Sequence, residues 1–178
     1  SDAVLLRHVS DQNYPRIDFR FATLYEKDIP DVKGALYVAR IPIVRNLAVS
    51  LAQSHNYDLE DLSIVVDGED RYLMNGTPNL EHPISTRLKL EFERVYGMPF
   101  SRTPDVVFKS KADQRYIGVN KADRLAYMLL LEAIKRGLGD MLDNHRNRFV
   151  PVSTEEIRAI RQFHIIDHSV LDGVRHVK

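Results

Sequence analysis

The chain has 178 residues, of which 25 are Lys or Arg and 25 are Asp or Glu, so its formal net charge is zero. This balance excludes a strongly basic nucleic-acid packaging protein and an acidic disordered tail. The absence of cysteine excludes disulfides, a thiolate zinc site and a cysteine nucleophile. With 44% hydrophobic residues and no long apolar run, the sequence predicts one soluble domain over 1–178 that makes no membrane contact. Its expected location is the cytoplasm, or the compartment where nucleic acid is handled.

The first 80 residues predict a β-rich N-terminal elaboration. β-Branched and aromatic residues predict strands over 17–24 and 35–41, and apolar spacing predicts a helix over 44–54. Residues 62–66 and 71–74 predict two further strands around an acidic turn.

Residues 81–178 predict a compact core. Periodicity, turns and caps first indicate a helix over 86–96 and a short strand over 98–102. Two strands over 105–110 and 114–119 follow, joined by a tight turn at 111–113. The remaining predicted elements are a helix over 122–136, a strand over 148–152 and a helix from 153 to about 168. The second half therefore has the order α-β-β-β-α-β before its last helix. We expect an α/β (α+β) fold with a central mixed β-sheet flanked by helices.

Local signals fix several of these boundaries. Ser85 is a plausible N-cap, Gly97 is a helix stop, and Ser153 with Glu156 fits a capping box. In the helix over 122–136 the side chains expected to pack are Leu125, Leu129, Ala133 and Ile134.

The neutral total conceals two regions of opposite charge. Residues 54–81 carry seven acidic residues and one basic residue, a net charge of −6. Residues 101–150 carry ten basic and six acidic residues, a net charge of +4. These regions are either two solvated faces, or a basic ligand surface beside an acidic surface for a protein partner.

One constellation in the basic region predicts chemistry. Pro104 and Asp105 stand at the start of a predicted strand, and Lys121 follows the predicted partner strand. A carboxylate that begins one hairpin strand and an amine that ends the other meet at one sheet edge. The carboxylate would hold Mg²⁺ or Mn²⁺, and the amine would orient water or stabilise charge in phosphodiester hydrolysis.

The residues 85–152 resemble the PD-(D/E)xK nuclease superfamily, which includes transposon-type endonucleases and viral cap-snatching endonucleases. The resemblance implies a metal-dependent endonuclease in which Asp105 is a metal ligand and Lys121 is the catalytic cation. It also implies a helix glutamate in the site, for which Glu91 and Glu93 are the candidates.

The motif departs from that pattern at its second acid. Val119 stands two residues before the lysine, where the family has an acidic residue, and an alternative register puts Tyr116 there. The site is then degenerate, absent, or completed by another carboxylate, namely Asp113, Glu91, Glu93 or Asp123.

Basic residues surround the predicted hairpin and would form a phosphate-contacting rim, with Tyr116 and Tyr127 available to stack a base. The rim consists of Arg102, Lys109, Lys111, Arg115, Lys121 and Arg124. The alternative is that these cations only solvate an exposed surface.

A second metal site is indicated near the C-terminus of the sequence. His164, Asp167 and His168 share one helical face and could bind a metal ion. The alternative is an exposed helix face.

The leading hypothesis is a nucleic-acid-processing domain that acts on DNA or RNA as a metal-dependent endonuclease. The first alternative is an inactive nuclease-like domain that binds nucleic acid or a protein partner. The second is a metal-dependent hydrolase or metal-stabilised module that uses the histidines.

Overall fold

A computed structural model describes residues 2–6, 18–29, 35–68, 70, 72–74, 77–79 and 83–161 of the chain. These residues form a mixed α/β structure, in agreement with the predicted class. The strands are β1 (Asp2–Leu6), β2 (Arg20–Leu24), β3 (Ser63–Asp67), β4 (Tyr72–Met74), β5 (Thr77–Asn79) and β6 (Asp105–Lys109). The helices are α1 (Ala35–His55), α2 (Ile84–Tyr96), α3 (Ala112–Arg115), α4 (Ile117–Arg136), α5 (Leu138–Asn144) and α6, of which residues 154–161 are described.

The described strands pair in twos. β1 pairs with β2 and β4 pairs with β5, both antiparallel, and β3 pairs in parallel with β6. In this part of the chain the strands therefore do not join into the single central mixed sheet that the sequence predicts. The strand pair β3–β6 also joins residues on the two sides of the predicted division at residue 80, and the division itself stays a prediction.

The predicted hairpin over 105–110 and 114–119 is wrong. β6 is a strand, but its partner among the described residues is β3, with which it pairs in parallel, with Ser63 opposite Asp105 and Asp67 opposite Lys109. Residues 112–115 and 117–119 are helical. Lys111 does turn the chain, with a φ of 58°, but the Asp67 carboxylate accepts the N–H of Ala112 at 2.9 Å and starts α3 there.

The predicted strand over 35–41 is also wrong, since α1 runs through it and continues past Pro42. The helix has two buried stripes. One includes Ile43 and Leu47 and packs against β2, and the other includes Val44 and Ala48 and packs against α2 and β3. Because two stripes cover much of the helix, the sequence lacks the single apolar face that indicates a surface helix.

β2 lies at the centre of the fold and is buried on both faces. Phe19 and Phe21 point toward α4 and α5, whereas Ala22 and Leu24 on the other face contact α1 and α6. Phe21 also forms a parallel bridge to Phe149. This bridge is what the structure contains in place of the strand predicted over 148–152.

The caps predicted for the helices are partly correct. Gly97 ends α2 with a φ of 63°, as expected. Ser153 and Glu156 form the capping box, in which the Glu156 N–H donates to Ser153 Oγ at 3.1 Å. Ser85 is not the N-cap of α2, because the helix begins at Ile84.

Ser85 instead binds a neighbouring carboxylate, and its N–H donates to Asp70 Oδ1 at 2.7 Å. The short strand predicted over 98–102 is a 3₁₀ turn at Phe100–Arg102.

We predict that Gly97→Ala lowers the free energy of unfolding by about 1 kcal/mol. A Cβ at this position meets no neighbour within 4 Å, so the cost is that of the left-handed backbone alone. Gly139→Ala is the matched control, since Gly139 lies in α5 with open space around it and without a positive φ, and alanine should be neutral or stabilising there. Denaturant unfolding measures both, and an equal effect of the two substitutions would contradict the prediction.

We also predict acid sensitivity at Asp18, which joins β2 to the end of α1. Arg20 Nη1 donates to Asp18 Oδ1 at 2.6 Å, and His55 Nε2 lies 2.8 Å from Oδ2. Burial raises the pKa of Asp18, but the bonds from Arg20 and His55 outweigh burial and hold the pKa below its ordinary value of 3.8. Since the pKa is lowered on folding, this stabilisation is present above pH 3.8 and is lost as the pH falls through the lower, folded-state pKa.

Asp18→Asn should therefore unfold more easily than the wild type at neutral pH, and the difference should shrink below about pH 4. Asp123→Asn is the control, at an exposed carboxylate that forms no ion pair with a described residue, and it should change the free energy of unfolding at neutral pH by no more than about 0.5 kcal/mol. A constant difference between the Asp18 variant and the wild type across this range would contradict the prediction.

Candidate nucleic-acid interface

The residues expected to catalyse hydrolysis lie on different kinds of element. Asp105 begins β6, where its N–H donates to the Leu62 carbonyl at 3.0 Å and its side chain is exposed. Lys121 is an exposed residue of α4. The hairpin that was to bring the two together is absent, and α3 stands between them in the chain. Catalysis by this pair stays a prediction.

The two glutamates proposed for the metal site lie on α2 and differ in their surroundings. Glu91 Oε2 accepts hydrogen bonds from Arg45 Nη1 at 2.6 Å and from Arg94 Nη2 at 3.0 Å. Glu93 is exposed. In the described part of the chain, no three His, Asp or Glu side chains lie close enough to hold a metal ion together. The alternative site of His164, Asp167 and His168 lies outside the described residues.

Four of the cations predicted to surround the hairpin lie on or beside two helices, α3 and α4, and their role as a phosphate-contacting rim stays a prediction. Lys111 precedes α3, Arg115 ends it, and Lys121 and Arg124 lie on α4, all of them exposed. None of these four forms an ion pair with another described residue. The fifth, Lys109, ends β6 with its ammonium 5.8 Å from the centre of the Tyr116 ring.

Arg102 differs from the other predicted rim residues because its guanidinium already forms an ion pair with a carboxylate. Its Nε and Nη2 donate to the two carboxylate oxygens of Glu60 at 2.5 and 3.0 Å. These hydrogen bonds raise the pKa of Arg102 and lower the pKa of Glu60. The planar, bidentate contact leaves Arg102 less able to bind a phosphate than the cations of α3 and α4.

The exposed surface of α4 combines cations with apolar side chains. Ile117, Lys121, Arg124, Met128 and Lys135 follow the spacing i, i+4, i+7, i+11 and i+18, which keeps them within about 40° of one line along the helix. We use the name α3–α4 face for this line together with Lys111 and Arg115, which precede it in the chain, and with Tyr127 and Ile134, which are exposed about a quarter of a turn around the helix from it. At 1.5 Å per residue the line is about 27 Å long.

The packing of α4 explains why this side remains exposed. Ala122 and Leu129 on the opposite side are buried against Phe19 and Phe21 of the β2 segment. Leu125 and Ala133 pack there as predicted, but Ile134 is 71% exposed, which corrects its predicted place in the core.

The acidic residue in the second half of α4 takes part in the fold. Glu132 Oε1 accepts from Asn144 Nδ2 at 2.9 Å, and Oε2 lies 2.8 Å from His145 Nε2. The hydrogen bonds from Asn144 and then His145 lower the pKa of Glu132. Glu132 therefore ties α4 to the end of α5 and keeps its charge at neutral pH.

Much of the acidic region also takes part in the fold. Among residues 54–81, Glu60 binds Arg102, Asp67 binds the Ala112 N–H, and Asp70 binds Ser85. These bonds reduce the number of carboxylates that the region offers to a partner, and its predicted role as a protein-binding surface stays a prediction.

A groove of about 640 Å³ lies between α1, α2 and α6. Arg45 lines it and is 9% exposed in its side chain, with Nη1 bound to Glu91 and Nη2 donating to Glu156 Oε1 at 3.1 Å. Asn46 Nδ2 donates to both oxygens of Glu156, at 2.8 and 2.9 Å. The polar side chains of the groove thus bind one another and hold the three helices together.

Comparison of the chain with protein-family models, with curated proteins and with solved structures found no match. Among the described residues, no helix combines the length and the apolar character needed to cross a membrane.

Sequence reasoning found the cations of the α3–α4 face but missed its exposed apolar residues. The sequence predicts Ile117 in a strand and does not indicate that Met128 is exposed, whereas both side chains are exposed on α4. A signal was available, since helical spacing places both residues about 80–100° around α4 from the stripe formed by Leu125 and Leu129.

We predict that Arg45→Met lowers the free energy of unfolding by about 3 kcal/mol, because it leaves the partly buried carboxylates of Glu91 and Glu156 without their shared cation. Arg146→Met is the control. Arg146 is paired with Asp143, but the two side chains are 79% and 72% exposed, and we expect a change within about 0.5 kcal/mol. Equal losses in a denaturant titration would show that burial of the Arg45 network is not what stabilises the groove.

Proposed function

We propose that this chain binds nucleic acid through the α3–α4 face and does so without cleaving it. The main support for the proposal is that four exposed cations form no ion pair with a described residue. They are Lys111, Arg115, Lys121 and Arg124. Each can give its charge to a phosphate without first breaking an existing contact.

The electrostatics of the chain support a local interface. Other arginines, such as Arg20, Arg45 and Arg102, are held by carboxylates, so their charge is compensated within the fold. Part of the net charge of +4 over residues 101–150 therefore lies on the α3–α4 face, although Asp113 and Asp123 are on the same two helices as the cations. A neutral chain with such a face binds a polyanion through counterion release, and its affinity falls as salt rises.

The arrangement supports binding more than hydrolysis. Hydrolysis by the nuclease mechanism needs Asp105 and Lys121 at one sheet edge, together with a second metal-binding acid. Residues 114–119 do not form a strand beside β6, and Val119 is helical. Phosphate binding needs only that the cations lie on a common exposed surface.

We predict that the double variant Lys121→Gln with Arg124→Gln binds nucleic acid at least about tenfold more weakly than the wild type in low salt, and that the slope of log affinity against log salt falls by about two. Fluorescence anisotropy with a labelled oligonucleotide across a salt series measures both quantities.

The matched control is Arg102→Gln with Arg146→Gln. It removes the same charge from two exposed arginines that are already paired, with Glu60 and Asp143. We expect the control to bind nearly as well as the wild type. Equal losses in the two double variants, or no salt-dependent binding by the wild type, would contradict the proposal.

Incubation of the same oligonucleotide with the protein and Mg²⁺ or Mn²⁺ separates binding from hydrolysis. We expect no cleavage above background. Cleavage that disappears in Asp105→Ala and in Lys121→Ala would overturn the non-catalytic reading and restore the endonuclease.

A further inference from the structure

We infer that the α3–α4 face takes single-stranded nucleic acid, with bases stacked on Tyr127 and its apolar neighbours. This inference rests on the proposed function and adds the class of ligand to it. It comes from the distribution of exposed hydrophobic side chains. In the described part of the chain, the large hydrophobic residues that are more than 60% exposed all lie on α4, namely Ile117 at 75%, Tyr127 at 63%, Met128 at 63% and Ile134 at 71%.

Exposed apolar surface of this kind is favourably covered by an apolar complement. Its burial is favourable by about 25 cal/mol per Å², so a ligand that covers four such side chains gains affinity from them. In a duplex the faces of the bases are stacked on one another and only their edges are accessible. A single strand offers the faces themselves, and stacking on an aromatic side chain tolerates any base.

The cations are spaced to hold the backbone of such a strand. Arg124 lies one helical turn before Tyr127, on the same side of the helix, and Lys135 lies about two turns after it. A base on the Tyr127 ring would therefore have a cation near the phosphates on each side. This combination of a positively charged track and a stacking surface is typical of binding to single strands.

The same pattern argues against two other occupants. A helix that lies on a membrane separates its apolar side from its charged side, but here Lys121 and Arg124 lie on one line with Ile117 and Met128. A second copy of the chain that covered this face would bring the same cations close to one another, which is unfavourable.

The test compares three probes by anisotropy or co-sedimentation under one low-salt condition. The probes are an oligothymidylate, a duplex of the same length, and vesicles of phosphatidylcholine with phosphatidylserine. We expect the oligothymidylate to bind at least about tenfold more tightly than the duplex, because the duplex leaves the apolar side chains uncovered. Equal or tighter binding of the duplex would overturn the inference and leave the proposed function intact.

Tyr127→Ala should weaken oligothymidylate binding by about 5-fold to 100-fold, the range expected when one stacked base loses its aromatic partner. Tyr127→Phe keeps the ring and should bind within about twofold of the wild type. Tyr25→Ala, which removes a 45% exposed ring that lies outside this face, is the matched control and should have no effect. Since Tyr127 is mostly exposed, the variant should fold, and a thermal melt checks this.

The outcomes distinguish single-strand stacking from phosphate binding. If Tyr127→Ala binds like the wild type while the Lys121 and Arg124 double variant loses affinity, single-strand stacking is wrong and phosphate binding stands. If the wild type binds neither oligonucleotide, both fail. Binding to the vesicles alone would overturn both and identify a membrane-surface interface.

Discussion

β3 and β6 are short strands that pair in parallel, and a parallel pair requires a crossover that returns the chain to the same end of the sheet. α2 serves as that crossover, with Leu88 and Phe92 buried in the cluster that covers the strand pair. The pairing also places the end of β6 beside the end of β3, so that the Asp67 carboxylate reaches the N–H of Ala112. From this bond the chain enters α3 and α4 and does not return along β6 as an antiparallel strand. Lys121 therefore lies on a helix and not on a strand beside β6.

α4 has two sides with different physical roles. One side is fixed by burial against Phe19 and Phe21 and by the contact of Glu132 with His145, so the helix is held in place by apolar packing and by a charge-assisted hydrogen bond. The other side is exposed and carries cations and apolar side chains together. Exposed apolar surface is a cost for a protein that never covers it, and in combination with positive charge it favours a polyanionic ligand that also presents apolar surface.

The zero net charge of the chain does not mean that charge is evenly distributed over the folded structure. Carboxylates such as Asp67, Glu91 and Glu156 are bound to backbone amides or to arginines and hold elements of the fold together. The cations of the α3–α4 face have no such partners among the described residues. Positive and negative residues are equal in number, but they are distributed differently along the chain, and the exposed cations of α3 and α4 make this face of a neutral chain suited to binding phosphates.

The sequence by itself determined features that depend on neighbours within about one helical turn. The stop at Gly97, the capping box at Ser153 and the cations near residue 121 belong to this class, because each requires only local hydrogen bonds, a permissive backbone or a charged side chain. The tertiary structure alone decided the partner of β6 and the helical state of residues 114–119. Strand pairing joins residues about 40 positions apart, and β-branched residues suit a strand or a buried helix equally well until that partner is fixed. For this reason the cations of the α3–α4 face could be named from the sequence, whereas their place on two helices and the exposed apolar residues beside them could not.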